Sequence, residues 1–97
     1  AEREKGNTEV DIILAGKAFE VCFGTGDAWL WTKTELRLSE IPDVVRWALQ
    51  SSQYGTWEID DADLYESPDR VWYAFDMEDP RSEREATVRI LGDGTLL

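Results

Sequence analysis

The chain contains no histidine and a single cysteine, Cys22. Without histidine, the usual zinc ligand, general base and pH switch are all missing. One cysteine permits no intramolecular disulfide, which is neutral on compartment. Basic residues are scarce: 10 Lys and Arg stand against 21 Asp and Glu, for a net charge of −11. Nucleic-acid binding needs cations to replace counterions on phosphates, so that function is set aside. An anionic membrane surface is disfavoured for the same reason. The expected partner is neutral or cationic, or a metal ion. No apolar run approaches the ~20 residues of a membrane span. No signal peptide is visible, and the chain begins at Ala1 without Met, as expected of a processed or trimmed polypeptide.

What is present is aromatic and acidic. Ninety-seven residues fit one domain, and 42% hydrophobic content supplies a modest core. Five tryptophans are many for this length, and each can bury a large area. Residues 58 to 85 hold eleven Asp or Glu against Arg70, Arg81 and Arg84. A run of this kind is commonly just a solvated face that keeps the domain soluble.

Residues 1 to 7 are polar and expected to fray. The domain is expected over residues 8 to 97. Val10, Ile12 and Leu14 begin a strand, Phe19, Val21 and Phe23 a second, and residues 28 to 36 a third, joined by short Gly turns. In "LSEIPDVVRWALQSSQYG" the period changes. Ile41, Val44, Val45, Ala48 and Leu49 make one helical stripe opened by Pro42, with Trp47 on its flank and Gly55 as the stop. Roughly three turns are expected. Beyond it, Trp57 and Ile59 share one parity while Ala62 and Leu64 share the other, which predicts a β-bulge at Asp60-Asp61. Two strands, "VWYAFDME" and "ATVRI", and a closing hairpin with a short final strand follow. The fold expected is α+β: a single antiparallel meander of about six strands in two β-units, with one amphipathic helix on one face. The other face is left open.

"AFEVCFGTGDAWL" aligns without gaps on "EATVRILGDGTLL", so that Val21 matches Val88 and Phe23 matches Ile90 at an offset of 67. This reads as a weak two-copy repeat. It bears on Trp29 and Trp31, two apart in one strand and so expected on the same face. If the first hairpin follows the "LGDGT" turn, Phe23 pairs with Trp29 and both tryptophans enter the core. If "GTGD" closes as a two-residue loop, both turn to the open face near Cys22 and Glu20. The repeat leans towards the core, and both registers are compatible with the sequence. Tyr73, Phe75 and Met77 make the better core set in their strand, so Trp72 is expected on the open face.

"SEIPDVVRWAL", "WEIDDADLYES", "VWYAFDME" and "ATVRILGDGTLL" together resemble the PepSY-like family of small secreted bacterial proteins, which are similar to the β-lactamase inhibitor protein. The shared motif is a helix opened by Ile41 and Pro42 with Val44 and Val45 behind, then a hairpin, then a strand ending in the turn Gly92-Asp93-Gly94. "KAFEVCFGTGDAWLWTKTEL" looks like the end of a preceding copy. The resemblance covers about residues 8 to 97. It departs from the family pattern at Tyr54-Gly55, where Phe/Tyr-Pro is usual. It departs also in the first copy, which has no helix ahead of it unless one lies in a removed N-terminal segment. The resemblance implies a periplasmic or secreted domain, its signal peptide removed, whose open sheet face grips a protein. It carries over no target.

Catalysis is not expected. Cys22 has no evident base and reads as a small buried filler. "GTGD" and "LGDG" lack the ending and following helix of a phosphate loop. Asp60, Asp61, Asp63, Glu66 and Asp69 are the only candidate metal cluster, and no EF-hand spacing fits them. No cofactor and no metal are therefore expected. The candidate protein-binding residues are Trp72, Trp29, Trp31 and Trp47, with Asp60, Asp61, Asp63 and Asp76 as an acidic rim steering a cationic target. Two other classes compete: an acidic cytoplasmic decoy or immunity-type protein, and a structural domain that forms a homodimer through its open sheet face.

Overall fold

The computed structural model describes residues 2–4 and 6–97. Short turns between alternating segments leave each strand beside its predecessor, so the sheet runs β1-β2-β3-β4-β5-β6-β7 with every neighbouring pair antiparallel. The strands are β1 Glu2–Glu4, β2 Asn7–Leu14, β3 Lys17–Phe23, β4 Trp29–Glu35, β5 Glu58–Glu66, β6 Val71–Glu78 and β7 Glu85–Leu91. The expected α+β meander is the observed fold. It gains β1, because part of the segment expected to fray pairs with β2 behind Gly6, whose φ of 82° suits glycine. The expected final strand shrinks to one bridge, Ile90 to Leu96.

Helix α1 spans Asp43–Gln50, with Pro42 as N-cap. It is shorter than expected. The Ser52 hydroxyl donates to the Leu49 carbonyl at 2.6 Å and accepts from the Tyr54 N–H at 3.1 Å, which diverts the backbone into turns. Gly55 is therefore not the helix stop. It is required because a Cβ there would lie 2.2 Å from the Gln50 carbonyl oxygen. Gly55→Ala is expected to cost about 1–3 kcal/mol, the usual penalty of overpacking, measurable by urea unfolding.

The helix buries Ile41, Val45 and Leu49 on Ala62, Phe75, Met77, Val88 and Ile90, with Trp57, Ile59 and Tyr73 at the margin. Val44 was expected in this stripe but is exposed. The bulge at Asp60 is present: the register shifts between Ile59 and Asp61, which keeps Ile59 and Ala62 inward as anticipated. The core thus lies over β5–β7. On the same side of β2–β4, Phe19, Val21 and Phe23 stay half-buried and Ile12 is 42% exposed.

Candidate functional site

Strand alternation and register sort the open face into cross-strand rows. One row reads Asp11, Glu20, Lys33, Tyr65, Trp72 and Leu91. Glu9, Cys22 and Trp31 flank it on one side. Glu35, Asp63, Ala74 and Arg89 flank it on the other, followed by Asp61, Asp76 and Thr87.

Both registers considered for "GTGDAWLW" fail in part. Phe23 does pair with Trp29, but the ladder then shifts, and Cys22 pairs with Trp31. Leu30 is the extra residue of this bulge, and a bulge cancels the rule that residues two apart share a face. The two tryptophans part company. Trp29 shares the helix side with Phe23 and donates its indole N–H to Thr32 Oγ1 at 2.8 Å. Trp31 stands on the open face. The loop responsible has both Gly26 and Asp27 at positive φ, 70° and 60°. Sequence reasoning weighed hairpin loops without a bulge.

On the open face Trp31, Tyr65 and Trp72 form a continuous aromatic row. Tyr65 and Trp72 stack with centroids 5.1 Å apart and planes within 3°, and Trp31 lies 5.8 Å from Tyr65 at 56°. Tyr65 was missed, although the outward parity of Asp61 and Asp63 in β5 already placed it opposite Trp72. Trp47, a candidate contact, is 70% exposed on α1, which packs on the opposite side of the sheet. Trp29 is also on that side. Neither can join Trp72 in one contact surface.

All four rim residues reach the open side. Asp61 and Asp76 face each other across β5 and β6, Asp63 sits beside Ala74, and Asp60 occupies the bulge. Burial raises the Asp63 carboxyl pKa, and Asp61, Asp76 and Glu35 add to this against the pull of Lys33. Burial, then Glu9, raises that of Glu20. For Lys33, burial lowers the pKa, but Asp63, Tyr65, Glu20 and Asp61 outweigh it and the net shift is upward. The Cys22 thiol is raised by burial, then by Glu9 and Glu20, the reverse of what a nucleophile needs. The metal cluster weighed from sequence is split: Asp61 and Asp63 face outward and Glu66 lies on the other parity. The carboxylates of Asp60, Glu78 and Glu85 do lie within 4.8 Å of one another at the sheet's end. Three exposed or half-exposed carboxylates fall short of the six to eight oxygens calcium takes.

These shifts set a pH dependence. Glu20, Asp63 and Glu78, the last raised chiefly by the charge of Asp60, hold protons more tightly folded than unfolded. Stability therefore rises as pH falls through their folded range, which lies above 4.5 for the glutamates and above 3.8 for Asp63. Glu40, held down by the Lys17 ammonium, Asp79, by the Arg81 N–H, and Asp93, by Thr95, act in the opposite sense. Their contribution is lost below their lowered values. Thermal melts should give a higher Tm at about pH 5 than at about pH 7.5, with a fall in stronger acid. A Tm that declines steadily from neutral pH contradicts this.

No protein-family model and no curated protein matches the chain. Solved structures do. A DUF2874 family protein from Bacteroides uniformis superposes with a TM-score of 0.92 at 15% identity, over 99% of this chain and 71% of that one. A provisionally named periplasmic protein from Bacteroides eggerthii gives 0.91 at 18%, over 99% and 70%. A BLIP-like protein from Bacteroides fragilis gives 0.87 at 26%, over 99% and 68%. The chain has the fold of these BLIP-like and DUF2874 proteins. Among the described residues, no helix is long and apolar enough to cross a membrane.

Proposed function

We propose that this is a non-enzymatic protein-binding module, exported to the periplasm or secreted, of the PepSY-like and inhibitor-like kind, that grips its partner with the open sheet face. One observation carries the reading. Trp31, Tyr65 and Trp72 form an aromatic row on a face that no described element of the chain covers. Buried aromatics at the centre of a contact supply most of its energy. The fold shared with a BLIP-like protein and with a provisionally periplasmic one supports both the binding role and the compartment. The proposed contact set is Trp72 and Trp31 with Tyr65. The acids Asp60, Asp61, Asp63 and Asp76 form the rim. A photo-crosslinking residue at Arg89, on the open face, should trap one discrete protein in the source periplasm, and the same residue at Trp47 should not. Trapping only from position 47 would sink the reading.

Self-association is a second reading, favoured by a different surface from the one the sequence suggested. Pairing two open faces would set carboxylate against carboxylate. The helix side of β2–β4 instead exposes Ile12 and Trp29 beside Phe19, Val21 and Phe23. If two copies meet there, Val21→Asp will convert a dimer to a monomer in sedimentation analysis. A wild-type monomer at all usable concentrations removes this reading. The cytoplasmic decoy would bind by charge alone, so its complexes should weaken steeply with salt, whereas an aromatic-anchored complex should not.

A further inference from the structure

The two β-units repeat in three dimensions at the same offset of 67 residues as in the sequence. Phe23 pairs with Trp29, and Ile90 bridges Leu96. The Gly24 N–H donates to the Ala28 carbonyl at 2.7 Å, and the Leu91 N–H donates to the Thr95 carbonyl at 2.8 Å. Asp27 and Gly94 hold the same place in the two loops, both at positive φ, 60° and 93°. Strands β1, β2 and β3 thus answer in order to β5, β6 and β7. On the helix side the pair Val10 and Val21 stands where Phe75 and Val88 stand, and Thr8 with Phe23 where Tyr73 and Ile90 stand.

The units differ in their cover. Phe75, Val88 and Ile90 are buried under α1, whereas Val10, Val21 and Phe23 are half-buried and Ile12 is exposed. The surface between them is continuous: one cross-strand row runs from Ile90 through Tyr73, Leu64, Thr34 and Phe19 to Ile12. On the helix side of β2–β4 the only charged side chain is Lys17, and it is paired with Glu40. A chain of net charge −11 therefore sets none of its carboxylates on this side of these three strands. An exposed apolar surface of this kind marks a contact.

We propose that the helix side of β2–β4 seats a second amphipathic helix, carried by the same polypeptide ahead of β1 as α1 is carried ahead of β5. The repeat selects a helix as occupant, because the corresponding strand pairs of the other unit take α1. Chain order selects the same polypeptide, since consecutive elements pack beside one another over short connections. The apolar stripe required is that of Ile41, Val45 and Leu49, one residue per turn on one face. Asp27 is a second mark. A Cβ at Gly94 would lie 3.2 Å from Val44 Cγ2, so the first turn of α1 runs close to that loop. At the corresponding point Asp27 offers a carboxylate, which suits the unpaired N–H groups and positive dipole end of a helix's first turn. Seated there, the helix covers Ile12, Val21, Phe23 and Trp29. It takes this side away from self-association and leaves the open face as it is, so the protein-binding reading stands or falls separately.

The test compares the present chain with the polypeptide lengthened to the mature N-terminus that its gene encodes. In the longer chain the Trp29 indole N–H signal should move, and amide exchange at Val21 and Phe23 should slow by at least about tenfold. Trp31 and Trp72 should keep their positions, and circular dichroism should gain a helix. Ile12→Asp is tolerable in the present chain, where the side chain is 42% exposed. In the longer chain it should return the Trp29 signal to its present place, and Val21→Asp should do the same, so a folding defect in one variant leaves the other decisive. A mature product that begins at Ala1 overturns the proposal, and so does a longer chain in which Trp29 and the Val21 amide behave as they do now. A longer chain that dimerises with Trp29 at the interface assigns the surface to a second copy and overturns it too. If only a separately added protein moves Trp29, the occupant is a partner, and the proposal falls.

Discussion

Trp72→Ala is expected to weaken partner binding by about 30-fold or more, the loss that follows removal of a hot-spot side chain worth at least ~2 kcal/mol. Trp72 is half-buried, lines a hollow of about 550 Å³ on the open face, and stacks on Tyr65. Its loss removes ring surface from the partner and also frees Tyr65 to move. The fold should survive. Unstacking one half-buried aromatic pair costs about 0.5–1.5 kcal/mol, against about 5–15 kcal/mol for a domain of ordinary stability. Trp72→Phe should recover part of the affinity, since it restores a flat apolar ring. Titration calorimetry on the crosslinked partner, once purified, checks the series. A Trp72→Ala protein that binds like wild type contradicts the site assignment.

Phe75→Ala has the largest expected effect on folding, about 3–5 kcal/mol. Phe75 is completely buried, paired with Ala62 on β5 and Val88 on β7, beneath Val45 and Leu49 of α1. Truncation leaves a cavity at the centre of a core confined to β5–β7 and one short helix. That core has no reserve elsewhere, because the same side of β2–β4 is only half-buried. A loss of this size is a large fraction of total stability, and much of the chain should be unfolded at 37 °C. Trp47→Ala is the paired control: a larger side chain, largely exposed on α1, whose removal should leave the urea midpoint nearly unchanged. If Phe75→Ala melts with wild type, the core has been misplaced.

The architecture was legible because hydrophobic period is a local signal that burial amplifies. Alternation marked the strands, the Ile41 to Leu49 stripe marked α1, and the parity change across Asp60 marked the bulge. The unread parts depended on geometry that period does not encode. The bulge at Leu30 follows from a loop that holds Gly26 and Asp27 at positive φ, and it sends Trp29 and Trp31 to opposite sides of the sheet. Trp47 was grouped with Trp72 as another exposed tryptophan, although a helix that covers one face of the sheet does not present its flank on the open one. Tyr65 could have been found by carrying the outward parity of Asp63 one step further. The early end of α1 turns on a single hydroxyl, Ser52, competing for the Leu49 carbonyl.

The open face, and not the helix side, is the proposed contact surface. The five indole N–H signals of the uniformly labelled protein report on both sides in one NMR titration with the captured partner. Trp31 and Trp72 should shift or broaden at stoichiometric partner while Trp29 and Trp47 keep their positions. Movement of Trp29 and Trp47 with Trp31 and Trp72 unchanged would contradict it, and would assign binding to the half-covered helix side of the sheet.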